Sequence, residues 1–367
     1  MNPEDLRADI PALEECTYLN TGASGPSPNR VLEAVTDFHR RHKVDAPCGD
    51  GMYGVASATK EAARETVAGH LGAEAGEIAL TRSTVDGINL VANAIDWEPG
   101  ASVVRPDFEH PAGILPWWRL SRAVGVEERV VETSDGHLDV DDLAAAIDDS
   151  TELVCTSSLT WTSGTRVPIE EVVEIAHEAG ARVLVDAVQS VGQHPVDVEA
   201  WGADFVAASG HKWLLGPWGS GMLYVAEEAL ESLTPARVGY FGVEETEDEV
   251  EFAPDASRFE LGTTAIAPYA GLAAGIETVE AVGMDAIQAR IERLTDRLTA
   301  GLGDRLLSPR EFESGLVTFE ASDAEATVER LEADGVVIRS LPRPNTCRVS
   351  VHAFNAAADI DRLLDGL

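Results

Sequence analysis

Basic residues are scarce in this chain of 367 residues: 27 lysines and arginines stand against 64 aspartates and glutamates, a formal charge of −37. Phosphate-rich partners need a basic surface, so the balance argues against nucleic acid or an anionic membrane as ligand. The acids are scattered rather than gathered in a tail. That favours a surface adapted to very high salt, where counterions screen self-repulsion, over a local docking face for a basic partner. The densest acidic run, 244–251, reads as a solvated loop. Long apolar runs are also missing; none approaches the roughly 20 residues of a membrane span. Residues 1–7 are polar and acidic, unlike a targeting segment, so the cytoplasm is the expected location. The four cysteines, Cys16, Cys48, Cys155 and Cys347, show no Cys-x-x-Cys spacing. This argues against a metal or disulfide framework and fits reduced thiols. Cys155, inside Leu153-Val154-Cys155, reads as core.

What is present is an ordinary globular composition, 44% apolar, long enough for a large domain with a smaller partner. Between about residues 54 and 225, helix-like and strand-like periods alternate. Strands are expected at 77–80, 101–104, 151–156, 182–185, 205–208 and 221–225. Helices are expected at 58–71, after Thr84 as N-cap, from Pro111 to Val124, and from Pro168 to Ala179. This alternation predicts an α/β fold with a mostly parallel, doubly wound sheet, whose ligands bind outside the carboxyl ends of the strands. A long helical stretch, 265–302, is interrupted at Val282-Gly283, a hinge between domains. The remainder, 315–367, reads strand, helix, strand, strand, helix: a small α+β domain.

Lysines are few, and one lies in an unusual place. Ser209-Gly210-His211-Lys212-Trp213 runs into Leu214-Leu215-Gly216-Pro217-Trp218-Gly219, a setting of small, rigid and apolar residues. Upstream, Val183-Leu184-Val185-Asp186 is an apolar strand that ends in a carboxylate. A confined lysine and a strand-end aspartate are the two groups pyridoxal phosphate chemistry needs. The lysine forms a Schiff base with the aldehyde, and the carboxylate keeps the pyridine nitrogen protonated. Each has a plainer alternative: a surface lysine, and a turn or N-cap aspartate.

Six motifs follow one another in a specific order: Thr81-Arg82-Ser83-Thr84-Val85-Asp86-Gly87, Glu109-His110, Val185-Asp186-Ala187-Val188-Gln189, Ser209-Gly210-His211-Lys212, Arg258-Phe259-Glu260-Leu261-Gly262-Thr263 and Cys347-Arg348-Val349-Ser350. With Tyr18-Leu19-Asn20 ahead of them, the chain resembles, over nearly its whole length, the class V aminotransferase family of fold-type I pyridoxal phosphate enzymes. The branch is that of cysteine desulfurases, selenocysteine lyases and isopenicillin N epimerase-like proteins. The resemblance implies a large cofactor-binding domain over 18–283 and a small domain made of 1–17 and 284–367.

The resemblance also assigns roles. Lys212 carries the cofactor and moves the substrate's α-proton; Asp186 pairs with the pyridine nitrogen and Gln189 donates to the phenolate oxygen. His110 stacks on the ring, although a lone His before a proline could equally be an exposed cap. Thr84, Ser83, Ser209 and His211 hold the phosphate, helped by a helix N-terminus. Thr263 reaches the phosphate of a neighbouring subunit, which implies a homodimer. Arg348 binds the substrate carboxylate in a bidentate fork, with Asn20 and Trp161 nearby. Arg339 either faces the site or, on the plainer reading, forms a structural ion pair.

Departures from the pattern bear on the reaction. Desulfurases carry a mobile loop with a persulfide-forming cysteine between the strand resembling 336–339 and that starting at Arg348; here only Ser340–Cys347 lies there. Cys347 sits at a strand start, a poor place for a mobile nucleophile. Trp161 replaces an asparagine, and Val85 replaces the second threonine of a Thr-Thr pair. The expected activity is a cysteine desulfurase or selenocysteine lyase-like C–S or C–Se lyase without the usual mobile cysteine. A class V aminotransferase, an amino-acid epimerase and a non-catalytic cofactor-binding protein are the alternatives.

Overall fold

The computed structural model describes residues 1–134, 136–245, 250–342 and 345–367. Short apolar runs build its centre. In chain order the strands are β1 (Thr17–Tyr18), β2 (Ile78–Thr81), β3 (Ser102–Pro106), β4 (Glu127–Val131), β5 (Thr151–Ser157), β6 (Arg182–Asp186), β7 (Phe205–Ser209) and β8 (Gly221–Val225). A hairpin of β9 (Val243–Glu245) and β10 (Val250–Phe252) follows. Last come β11 (Leu316–Glu320), β12 (Val336–Val337), β13 (Arg339–Ser340) and β14 (Thr346–Ser350).

β2 to β8 form one sheet in the order β2-β8-β7-β6-β5-β3-β4. All neighbours are parallel except the two pairings of β8, so only β8 runs against the rest. Side chains alternate faces along a strand, and both faces here are covered. Val183 and Val185 of β6 join Val67, Leu71, Val172, Leu272 and Ile276 from the helices Met52–Leu71, Ile169–Glu178 and Ala267–Val282. Leu184, between them, joins Ile88, Val91, Trp117 and Leu120 from the helices Thr84–Ala94 and Leu115–Val124. The doubly wound α/β sheet expected from the alternation is therefore present.

A smaller layer packs beside it. β11, β14 and β13 form an antiparallel sheet, and β1 pairs in parallel with β12. Its core holds Leu294, Leu298, Phe319, Leu331, Val349 and Ile360. The Tyr18 and Asn20 backbones pair with Val337 and Ser350, so the stretch just past residue 17 is stitched to this C-terminal layer. Gly283 ends one long helix and opens the next, Met284–Leu302, with φ +89°, which accounts for the break read at Val282-Gly283.

Several boundaries moved. Ser83, not Thr84, is the N-cap of Thr84–Ala94: its Oγ accepts from the Asp86 amide at 3.2 Å, and Thr84 is the first helical residue. Pro111 opens a 3-10 turn, Pro111–Gly113, and the α-helix starts only at Leu115. The helix expected at 58–71 begins a turn and a half earlier, at Met52. β4 and the helices Asn29–Arg40 and Val140–Ala146 were not anticipated. β4, Glu-Glu-Arg-Val-Val at a sheet edge, is mostly open to water and so lacks the apolar period a buried strand shows. The acidic run 244–251 is partly a hairpin rather than a loop, since ladder bonds need no apolar face; residues 246–249 lie outside the described ones.

Candidate active site

Lys212 is fixed by its backbone. β7 ends at Ser209, and the chain turns through bonds from the Gly216 amide to Gly210 O (2.8 Å), the Leu215 amide to Lys212 O (3.1 Å) and the Gly210 amide to Ser220 O (3.0 Å). Leu215 adopts φ +56°, a strained conformation for a branched side chain. It is held there because Trp213, Leu214 and Leu215 are fully buried. The loop after β1 presses on the same turn: a Cβ at Gly25 would stand 2.3 Å from Lys212 O, so only glycine fits. The amine thus sits on an anchored turn rather than a mobile loop.

Of the three lysines, Lys43 is exposed and Lys60 is paired with buried Glu260. Lys212 makes no ion pair or side-chain hydrogen bond among the described residues. Burial lowers its pKa to about 8; Asp186 works against that shift, and Arg348 and Arg339 add to it. An amine with its pKa lowered toward neutrality keeps a sizeable neutral fraction, which is a competent nucleophile and base.

Asp186 closes β6, with only 3% of its surface exposed, and accepts from the Val188 amide at 3.0 Å. Burial raises its pKa, with Lys212 opposing. The Thr84 amide donates to Ser209 Oγ at 2.7 Å, and the two hydroxyls lie 2.8 Å apart at the N-terminus of Thr84–Ala94. His211 packs against Trp218 with ring centroids 5.0 Å apart. Thr84, Ser83, Ser209 and His211 therefore gather hydroxyls, an imidazole and a helix N-terminus, the donor set an anion needs.

His110 follows β3. Its Nδ1 accepts from the Ala112 amide at 3.2 Å, and its ring meets Trp161 edge-on at 5.3 Å. Burial, with Lys212, Arg339 and Arg348 adding to it, lowers its pKa to about 4, so the ring is neutral and suited to stacking. Gln189 is buried and already committed in part: Oε1 accepts from Trp213 Nε1 at 2.8 Å, and Nε2 donates to Gly22 O at 3.0 Å. One amide hydrogen remains.

Arg348 lies at the centre of β14, 1% exposed. Nη1 donates to Trp161 O at 2.6 Å, while Nε and Nη2 have no partner among the described residues. Burial lowers its pKa to about 9. Around it, Asn20 Oδ1, Thr21 Oγ1 and Ser350 Oγ are also buried without partners. Gly22 brings the backbone against this group; a Cβ there would stand 2.8 Å from Ser350 Oγ and 3.1 Å from Arg348 Nη2. Each unmet buried polar group costs about 1–3 kcal/mol. Several gathered near one guanidinium leave donors that could take an anionic group such as a carboxylate. Thr21 and Ser350 were not singled out in the sequence, because hydroxyls so common carry no signal without their neighbours.

Arg339 pairs across from Arg348 in the antiparallel register, and its Nε donates to Ser340 O at 3.2 Å. It makes no ion pair among the described residues, so the structural ion pair is not found. Thr263 stands apart. With φ +45° and Oγ1 2.6 Å from Tyr240 Oη, it lines a surface cleft of about 720 Å³ together with Phe38, Tyr53, Trp218 and Phe241. Cys347 is fully buried on β14, its Sγ 3.7 Å from Ala324 O, and burial pushes its pKa up to about 11. β13 and β14 form a tight hairpin, with the Leu341 amide bonded to Thr346 O at 2.9 Å. Residues 343–344 lie outside the described ones.

The strand ends of the large sheet carry a partnerless lysine, a buried aspartate and a helix N-terminus, and β14 of the small layer adds an arginine whose charge acts on Lys212 and His110. These residues fit pyridoxal phosphate, and fold and site together define a fold-type I enzyme that uses it. The chain belongs to the class V aminotransferase family, whose model matches residues 17–363. It is 34% identical to a probable cysteine desulfurase of Methanothermobacter thermautotrophicus, with 99% of this chain and 96% of that one covered. The apo structure of a cysteine desulfurase from Thermococcus onnurineus superposes with TM-score 0.92 at 31% identity, covering 100% of this chain and 97% of that chain. C-DES, described as a cystine C–S lyase in complex with its product cysteine persulfide, is 26% identical with TM-score 0.91, covering 97% of this chain and 98% of its own. A lysine-to-alanine mutant of C-DES carries glycine covalently linked to the pyridoxal phosphate cofactor.

Proposed function

We propose that the protein is a C–S or C–Se lyase that eliminates the sulfur or selenium group of an amino acid without a protein thiol as acceptor. The observation that carries this is Cys347, fully buried inside the small layer on β14 beside Arg348. Of the other thiols, Cys48 is exposed and Cys16 partly so. Cys155 is buried in the sheet with its pKa raised well above the usual value by desolvation. Cys16 bonds to Ala12 O in the N-terminal segment, and Cys48 lies on a 3-10 turn, Ala46–Cys48. The relatives named cysteine desulfurase and cystine C–S lyase support a sulfur amino acid as substrate.

The division of labour follows the geometry. Pyridoxal phosphate supplies an electron sink for the pair left at the α-carbon when its proton is removed. Lys212 would take that proton, and Asp186 would pair with the ring nitrogen. Thr84, Ser83, Ser209 and His211 would hold the phosphate, His110 would stack on the ring, and the free hydrogen of Gln189 would serve the phenolate oxygen. Arg348, with Asn20, fixes the carboxylate; Trp161 walls the pocket, and Arg339 adds positive charge. Elimination from cystine balances as cystine plus water giving cysteine persulfide, pyruvate and ammonia. Replacing Cys347 by alanine should leave sulfur release within about twofold of wild type, measured as sulfide after reduction. Loss of release from a folded variant would reinstate a cysteine acceptor.

A second copy of the chain is the proposed occupant of the cleft that holds Thr263. Tyr53, Trp218 and Tyr240 expose 76%, 73% and 57% of their surface there, an apolar face in an otherwise acidic protein. Thr263 then reaches the neighbour's phosphate. The surface charge suits a high-salt cytoplasm. Sedimentation in molar KCl should give a dimer, and its melting temperature should exceed that in dilute buffer. A monomer, or a stability indifferent to salt, counts against this reading.

A further inference from the structure

Glu109 is a buried acid that the chemistry above does not use. It follows β3, 4% exposed, and its carboxyl is fastened to β5: the Ser157 amide donates to Oε1 at 2.6 Å and Ser157 Oγ to Oε2 at 2.7 Å. Ser157 is the register partner of Asp186 on β6, so the two acids meet at the same pair of strand ends. Space behind the carboxyl is closed, since a Cβ at Gly113 would stand 2.8 Å from Oε2.

No cation among the described residues forms an ion pair with Glu109. The Arg105 guanidinium, on β3, is committed to Glu128 at 2.6 Å and to Pro106 O at 3.0 Å. The other titratable groups facing it offer no positive charge: Asp186 is an acid, Cys155 a neutral thiol and His110 a neutral imidazole. A buried carboxylate without a counter-ion is strongly disfavoured, and such a group keeps its proton.

We propose that Glu109 is a positioning residue that stays protonated behind Asp186, leaving Asp186 to carry the single negative charge that faces the cofactor's ring nitrogen. The role of Asp186 in this statement rests on the function proposed above; the protonation of Glu109 does not. Burial and then Asp186 raise the pKa of Glu109 to about 8, outweighing the two Ser157 bonds and the Arg105 charge, which lower it. The consequence for stability has a definite sign. Unfolded chain loses this proton near the ordinary carboxyl value, whereas the folded chain keeps it to about pH 8. The contribution is therefore complete below the unfolded value and is lost as pH rises through about 8.

The test uses apoprotein in D2O at neutral pH, where exposed carboxyls are ionised. Its infrared spectrum should show the carbonyl stretch of a protonated carboxylic acid, titrating away with a midpoint near pH 8. The band should vanish in Glu109→Gln and persist in Asp186→Asn. The wild-type fall in melting temperature between pH 6 and 9 should also shrink in Glu109→Gln, a change that hydrogen bonding to Ser157 alone does not produce. A wild type without the band, or a band lost in Asp186→Asn and kept in Glu109→Gln, overturns the proposal. If Glu109→Gln does not fold, the wild-type titration and Asp186→Asn decide it. Failure of the protein to take up pyridoxal phosphate would instead strike the proposed function and leave the infrared result standing.

Discussion

Replacing Lys212 by alanine should lower amino-acid turnover by roughly 10³–10⁴-fold or more, because proton transfer by a positioned base is itself worth about 10²–10⁴. The covalent link to the cofactor is lost as well. The fold should survive. The turn that presents the side chain is made by backbone bonds and by buried Trp213, Leu214 and Leu215, none of which involves the amine. Removing a desolvated ammonium that has no bonded partner costs no hydrogen bond. The absorbance band of the lysine-bound cofactor should therefore disappear while the melting temperature of the apoprotein holds or rises. Lys43→Ala is the control: that lysine is exposed, and both spectrum and rate should match wild type. A Lys212→Ala protein that keeps the band would show that the cofactor is bound elsewhere.

Arg348→Ala should have the second-largest effect, a fall of about 10²–10³-fold in kcat/KM carried mainly by KM. A charge-assisted hydrogen bond contributes about 1.5–3 kcal/mol, and two are available from the unpartnered Nε and Nη2. Arg348→Lys should recover little, because an ammonium cannot present the same planar fork. The variant also leaves Trp161 O without its 2.6 Å bond, so the loop between β5 and the helix Ile169–Glu178 is expected to loosen. Steady-state rates against substrate concentration separate the two constants. An unchanged KM would place the carboxylate on Arg339 instead.

The fold was legible because burial on both faces of β5, β6 and β7 writes unbroken apolar runs, and because helices between them repeat every three to four residues. Lys212 and Asp186 stood out for a related reason. Asp186 ends such a run and Lys212 follows one closely, in a setting of small and apolar residues where an ordinary surface lysine is not expected. Ser83 was passed over as N-cap because Ser and Thr cap equally well and adjacent candidates differ only in backbone geometry. Around Arg348 the resemblance had given a role to Asn20 but not to Thr21 or Ser350, which lie more than 300 residues apart along the chain and meet only when Asn20 pairs with Ser350. Glu109 was seen as part of a motif, yet its meaning depends on Ser157 across the sheet. For Arg339 the sequence left two readings open, facing the site or forming a structural ion pair; the antiparallel register sets it beside Arg348.

Cys347 ties these strands of reasoning to the reaction. A thiol that accepts sulfur must move toward the substrate and ionise, and this one is packed among Leu331 and Val349 with its acidity suppressed. Whether a protein thiol takes the sulfur decides the fate of the carbon skeleton. A desulfurase that hands sulfur to its own cysteine returns alanine, whereas direct elimination leaves an unsaturated amino acid that hydrolyses to pyruvate and ammonia.

The most direct measurement is the ratio of pyruvate to alanine formed from cystine and from cysteine by the cofactor-loaded protein in molar KCl. The account predicts pyruvate in step with released sulfur, and the same ratio from Cys347→Ala. Alanine as the main product, lost when Cys347 is replaced, would contradict it.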